Sequence, residues 1–337
     1  MDLAQLVDSL RGRTIAVVGD VVADEFVYGR VARVSREAPV LILEYDSTEI
    51  VPGGAGNAAN NVAALGGRAM LVALIGRDDP SRRLLKALHP RVDRRRIVRR
   101  ARATPVKTRI LAGGIHSAKQ QVVRIDRGVG AAIDAPARAA FETRALDAAV
   151  NADAVLVSDY GSGLITPAFV GRLRTALRRA GVPVPVLIDT RYRLLDYRGL
   201  TACTPNESEV EQALGVRIND DPRVLERAGR QVLTTTGMQA VLVTRGSRGM
   251  ALFVRGVATV HLPIVGSDEI ADVTGAGDTV MATLALALAA GASFEAAAHL
   301  ANHAGGLVVM KRGTATVSGA ELRASVRQSA PARSGGR

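Results

Sequence analysis

Six apolar runs rich in β-branched residues recur along the chain with helical patterns between them, and this alternation limits the fold more than any other feature. The runs are Thr14 to Val21, Ala69 to Gly76, Ala154 to Tyr160, Val184 to Asp189, Ala202 to Pro205 and Ala240 to Thr244. Each is too continuously apolar to leave one face in water, so they read as strands of a mostly parallel central sheet flanked by helices. Helices are expected over Gly56 to Leu65, Pro167 to Ala180, Glu207 to Leu214 and Pro222 to Thr235, with Pro167 and Pro222 in first turns, where a missing N–H costs nothing. The fold class is α/β. Two segments break the rhythm: 24–49 and 104–126 carry strand-like stretches (VLILEYD, VKTRILA, QQVVRID) without helices between them, and predict a small antiparallel lid over the sheet. Residues 1–325 read as one domain, whereas the last dozen, VRQSAPARSGGR, offer little to bury and predict a disordered tail over 326–337.

Composition removes several function classes. The 337 residues, 47% of them apolar, are enough for a sizeable core. The start, MDLAQLVDSLRGR, is amphipathic and mixed in charge, unlike a secretion signal, so a cytoplasmic protein is expected. The longest uncharged apolar run, Val280 to Ala292, is well short of the roughly 20 residues that cross a bilayer. Cys203 is the single cysteine and the five histidines are scattered, which excludes an intrachain disulfide and disfavours a zinc cluster. The formal charge of +12 and the arginine-rich run 91–102 raise the question of nucleic acid. Aromatics are only 3%, tryptophan is absent, and the arginine excess is spread along the chain, so a solvated basic surface or an anionic substrate explains the charge better.

The chemistry concentrates in DVTGAGD, Asp272 to Asp278, which opens a long apolar helical pattern. A glycine-rich turn entering a helix aims backbone N–H groups and the positive end of the helix dipole at one point, which suits the charge on a transferred phosphoryl group. Gly275, Ala276 and Gly277 are the candidate anion hole. Asp278 falls in the first helical turn, where its carboxylate could take a proton from an attacking hydroxyl. A plain acidic helix start with turn-forming glycines would look the same in isolation.

Three further stretches bear on that reading. PGGAGNAANNVAALGG, 52–67, leads into a helix with Asn57, Asn60 and Asn61 at positions a plain helix gives to Ala or Leu; Gly53, Gly54 and Asn57 are candidates to meet sugar hydroxyls, with an N-cap and close backbone packing as the alternative. Neither GxGxxG nor GxxxxGK[ST] occurs. NESE, Asn206 to Glu209, opens a helix just after a strand, where α/β sheets bind ligands; Glu209 could hold hydrated Mg²⁺ through its waters, and a capping box is the alternative. TRGSRG, 244–249, supplies a strand end and a glycine turn beside it, suitable for a nucleotide.

In this order, GGAGN, NESE, TRGSRG and DVTGAGD resemble the ribokinase/PfkB carbohydrate kinase family over about residues 12 to 322. The resemblance implies ATP and Mg²⁺ as cofactors, Asp278 as base, the amides of 275–277 as anion hole, and Asn206, Glu207, Ser208 and Glu209 at the ATP and Mg²⁺ site. It also implies nucleotide contacts from Thr244, Gly246, Gly249 and Asn302, a K⁺ site near 272–274 and 315–318, and a homodimer formed through the lid.

Within that family, GDVVADEFVYGRVARVSREAPV (19–40), VSDYGSGL (157–164), YRGLTACTPNESE (197–209) and KRGTATVS (311–318) look like the D-glycero-β-D-manno-heptose 7-phosphate kinases. The implied reaction phosphorylates the anomeric hydroxyl of the heptose 7-phosphate to the 1,7-bisphosphate used in ADP-heptose synthesis, a lipopolysaccharide precursor. A phosphorylated substrate needs cations at the far end of the pocket, and Arg36, Lys107, Arg109 and Arg124 in the lid segments are available. Asp20 and Asp24, acids at a strand end, are candidates for sugar hydroxyls. DTRYR, 189–193, stands where relatives often have Asp-Pro-Lys, so Arg191 is expected to replace that lysine. The related bifunctional proteins continue into a nucleotidyltransferase domain, so this chain is expected to act as the kinase alone. Another kinase of the family, for ribose, fructose phosphate or a nucleoside, and a non-catalytic sugar sensor remain the alternatives.

Overall fold

The computed structural model describes residues 2–100, 103–113, 119–128, 130, 132–266, 272–311 and 313–329. In chain order, helix α1 (Leu3–Ser9) and strand β1 (Thr14–Gly19) precede two long strands, β2 (Val21–Val34) and β3 (Leu41–Gly54), and helix α2 (Ala55–Ala64). Then come β4 (Arg68–Val72), β5 (Leu74–Ile75), α3 (Asp79–Ala87), β6 (Val92–Asp93), β7 (Val98–Arg99), β8 (Val106–Gly113), β9 (Gln120–Arg127) and α4 (Ala135–Val150). The remainder is β10 (Ala154–Asp159), α5 (Pro167–Arg179), β11 (Val186–Thr190), β12 (Ala202–Cys203), α6 (Glu207–Leu214), α7 (Pro222–Thr236), β13 (Ala240–Thr244), β14 (Met250–Val254), β15 (Val260–Leu262), α8 (Ala276–Ala289), α9 (Phe294–Val308) and α10 (Gly319–Ser329).

Nine strands form the central sheet in the order β15-β14-β13-β12-β11-β10-β1-β4-β6, parallel except at β14 and β15. Successive residues of β1 enter opposite cores: Ile15 and Val17 pack with α2, α8 and α9, while Ala16 and Val18 pack with α4, α5 and α7. Continuous apolar character therefore reports a strand buried on both faces. Helix α8 is buried from Asp278 to Ala287, which explains a pattern apolar all round rather than amphipathic.

The second sheet is the lid, in the order β3-β2-β8-β9. It is mixed rather than antiparallel, because β2 and β8 pair in parallel from Ala23↔Val106 to Arg30↔Gly113. Four expected boundaries also move. The first run ends at Gly19, and Val21 already belongs to the lid; a Cβ on Gly19 would lie 2.1 Å from the Ser158 carbonyl oxygen, so only glycine fits where β1 and β10 converge. The second run is split at Ala73, and the third ends at Asp159. The expected tail is helical through Ser329, because Leu322 and Val326, one turn apart, are both buried; residues 330–337 lie outside the described residues.

Candidate active site

The carboxyl ends of β10, β11, β12 and β13 open on one cleft, the place where parallel sheets present backbone and side chains to a ligand. Helix α8 points its N-terminus into it. Gly275, at φ +77°, makes the turn, and a Cβ there would lie 2.5 Å from the Asn57 amide nitrogen. Gly277 faces open space and lines the cleft. Of the three expected anion-hole amides, Ala276 is already committed, donating to the Val273 carbonyl at 3.2 Å.

Asp278 is 4% exposed. Asn57 Nδ2 donates to its Oδ2 at 2.8 Å, and the Tyr160 hydroxyl donates to its Oδ1 at 3.2 Å. Burial pushes its carboxyl up to about 7, against those two hydrogen bonds, which pull it down. A carboxyl poised there can both accept a proton and release it near neutral pH. Asn57 is itself fixed by Asn61, which donates to its carbonyl and amide oxygens at 3.1 Å. The asparagine cluster thus sets the base rather than presenting three amides to a ligand; Asn60 turns away to the backbone of Ala87 and His89.

At the other end of the cleft, Asn206 and Glu209 form a reciprocal capping box at 2.8 and 2.9 Å while lining the cleft with Thr244 and Asp189. The cap fixes Glu209 for use, and burial pushes its carboxyl up. Asn206 bridges Thr244, joining NESE to TRGSRG. Glu207 turns away from the cleft to Arg245 and Arg248, and Ser208 is exposed beyond its edge. Gly246 and Gly249, both at positive φ, shape the following turn; a Cβ on Gly249 would meet the Leu262 carbonyl oxygen at 2.0 Å. Asn302 is buried and donates to the Pro263 carbonyl at 2.7 Å. Asp272 accepts from the amides of Thr274 and Gly313 at 2.8 and 3.0 Å, tying the glycine turn to the loop after α9.

The acids and cations near the lid sort unequally. Asp20 is buried and accepts from the Tyr160 amide at 2.9 Å and from the Ser162 hydroxyl, so it clamps the loop after β10. Asp24 is ion-paired with Arg109, and its other oxygen lies against Gly53, where a Cβ would come within 2.2 Å. Gly54, at φ +59°, lies beside the Tyr160 ring. Arg124 grips Asp126 with two hydrogen bonds, and Arg36 sits exposed at the lid tip. Lys107 and Arg191 have no ion pair among the described residues; both lie by the Tyr160 ring, at 5.2 and 5.4 Å from its centroid. Burial, then Arg191, pulls the Lys107 ammonium down.

Two residues of this cleft were not singled out from sequence. Tyr160 touches the base directly, and Asp189 lines the cleft with its carboxyl pushed well up by burial and by Asp278. No hydrogen bond joins the Asp189 side chain to a described residue, so its oxygens and those of Glu209 could hold a hard divalent cation.

Residues 13–320 match the description "pfkB family carbohydrate kinase". The chain belongs to the pfkB family of carbohydrate kinases. It is 44% identical over 331 residues to the bifunctional protein HldE of Caulobacter vibrioides, covering 96% of this chain and 65% of that protein. The HldE of Geobacter sulfurreducens is 41% identical over 92% of this chain and 62% of its own length. The chain thus spans somewhat less than two thirds of these relatives. Among solved structures, the Arabidopsis thaliana ribokinase complexed with ribose and ATP aligns at TM-score 0.67 and 20% identity, covering 94% of this chain and 98% of that one. The Escherichia coli phosphofructokinase-2 with substrates and products aligns at 0.74 and 17%, covering 94% and 99%. These likenesses show a ribokinase-like fold. Among the described residues, no helix is long and apolar enough to cross a membrane.

Proposed function

We propose that this pfkB family member transfers the γ-phosphoryl group of ATP to the anomeric hydroxyl of D-glycero-β-D-manno-heptose 7-phosphate, with Asp278 as general base. The observation that carries the reading is the buried carboxyl of Asp278, poised near neutrality beside the N-terminus of α8. The acceptor oxygen forms its bond to the γ-phosphorus as its proton passes to Asp278, and ADP leaves carrying the bridging oxygen. The Gly275 and Gly277 amides and the helix dipole face the charge that develops. Glu209 and Asp189 are the residues that would hold Mg²⁺, which would supply positive charge to the nucleotide phosphates. Thr244 borders the nucleotide, and K⁺ would fit between 272–274 and 315–318, where the buried Thr314 hydroxyl lacks a partner among the described residues.

The heptose phosphate is favoured by the relatives named HldE and by Lys107 and Arg191, two cations that make no ion pair among the described residues. A coupled ADP-release assay with heptose 7-phosphate, sedoheptulose 7-phosphate, fructose 6-phosphate, ribose and adenosine tests the choice. Preference for the heptose is expected; preference for an unphosphorylated sugar would return Lys107 and Arg191 to surface roles. We further infer a homodimer through the lid in the cytoplasm. Val123 and Ile125, exposed and alternating with the paired Arg124 and Asp126, form an outer apolar row. Light scattering on Val123→Glu/Ile125→Glu should then report a monomer.

A further inference from the structure

We propose that Tyr160 is a positioning residue for the base: its hydroxyl and the Asn57 amide pin the two oxygens of Asp278 and together hold the carboxylate in its proton-accepting form. The inference rests on the reading of Asp278 as base.

Each side of the Tyr160 ring system is fixed by a separate device. The backbone is clamped because Asp20 accepts its amide, with the Ser162 hydroxyl on the same carboxylate. The ring lies beside Gly54, where a Cβ would come within 3.4 Å of Cδ2 and Cε2 and within 2.5 Å of the Asp20 carbonyl oxygen. Lys107 and Arg191 lie by the same ring. With backbone and ring held, the hydroxyl has little freedom except toward Asp278. Burial and the neighbouring carboxylates of Asp278 and Asp189 push the phenol well above its ordinary value, so it stays neutral and serves as donor.

The charge balance around the base makes that donor consequential. Asp278 touches Asn57 from α2 and Tyr160 after β10 through hydrogen bonds, while the charges of Asp24 from β2, Arg191 after β11 and, farther off, Asp189 in β11 act on it across space. Burial and Asp24 favour the protonated form; Asn57, Tyr160 and Arg191 favour the ionised one. Removing one donor therefore shifts the base toward its inactive, protonated form.

Tyr160→Phe keeps the ring and its cation contacts and deletes only the donor. The acidic limb of its kcat/KM profile should rise by about half to one pH unit, the size one hydrogen bond to the ionised form supports. Turnover at pH 7 should fall several-fold, recover by pH 9, and leave the KM for ATP unchanged. Carboxyl ¹³C NMR of aspartate-labelled protein, with Asp278 assigned by loss of its signal in Asp278→Asn, should show the same upward shift without substrate. An unmoved limb and titration, or a loss at pH 7 that pH 9 does not restore, would overturn the proposal. Full turnover in Asp278→Asn would instead remove the base itself, while the NMR titration would still decide whether Tyr160 acts on the carboxyl.

Discussion

The two sheets hold their charges in opposite ways. At the carboxyl edge of the nine-stranded sheet, Asp278 is buried and Asp189 and Glu209 are half-buried; none makes an ion pair among the described residues, and all three carboxyls are pushed upward. In the lid, acids sit against cations: Asp24 with Arg109, Asp126 with Arg124, Glu25 with Arg127, Asp46 with Arg30 and Lys119. Apart from the buried Asp24–Arg109 pair at the root of the lid, these charges reach solvent and chiefly hold their own sheet together. A carboxyl out of water without an ion pair carries a cost that hydrogen bonds offset in part and that a ligand, a proton or a metal would offset further. The contrast supports the proposal that the chemistry lies at the edge of the large sheet, with Lys107 and Arg191, on its border with the lid, proposed for recognition.

The largest expected effect lies in the large sheet. Asp278→Asn should cut turnover by ~10²–10⁴-fold with little change in ATP binding, read by steady-state kinetics and calorimetry. Next, Lys107→Ala should raise the KM for the phosphorylated acceptor by ~10- to 100-fold and that for ATP far less, since charge-assisted hydrogen bonds to phosphate are the strong kind. Glu209→Gln should raise the Mg²⁺ concentration for half-maximal rate by roughly tenfold, seen in a metal titration. Arg124→Ala should change every kinetic constant by less than about threefold. If Arg124→Ala proves as damaging as Lys107→Ala, the distinction between paired and unpaired cations fails.

Stability gives a separate check on the same contrast. Asp278 has its folded pKa raised, so the contribution of this one group to stability is fully present below the unfolded value of 3.8 and is lost as pH rises through about 7. Asp278→Asn removes that loss. It should melt above wild type at pH 8, with the gap narrowing toward pH 5 in a calorimetric series.

Much of the large sheet was legible because burial on both faces writes itself into sequence as unbroken apolar runs. Helix α6 matched its expected bounds because Asn206 caps one end and Gly215, in a left-handed conformation, closes the other. The parallel pairing of β2 with β8 was not legible, since strand partners are chosen in three dimensions and both segments alternate alike. Nor was the pairing of Arg109 and Arg124, which depends on which acids the lid brings opposite them. Tyr160 read as the end of a strand; its chemistry arises from the approach of α8 and α2, more than a hundred residues away on either side. Asp189 did offer a signal, an acid closing an apolar strand, the same signal that drew attention to Asp20.

Strand β2 starts in the core at Val21 and reaches solvent by Arg30 without a break in the chain. The lid is therefore a cantilever built into the wall of the cleft, with Asp24 near its root. Its irregularities sit farther out, where the pairing with β3 slips at Tyr28/Gly29 and again at Val31/Arg33. Those slips turn the outer part of the strand away from the root, so the shape of the tip is set apart from the backbone that carries Asp24 beside the cleft.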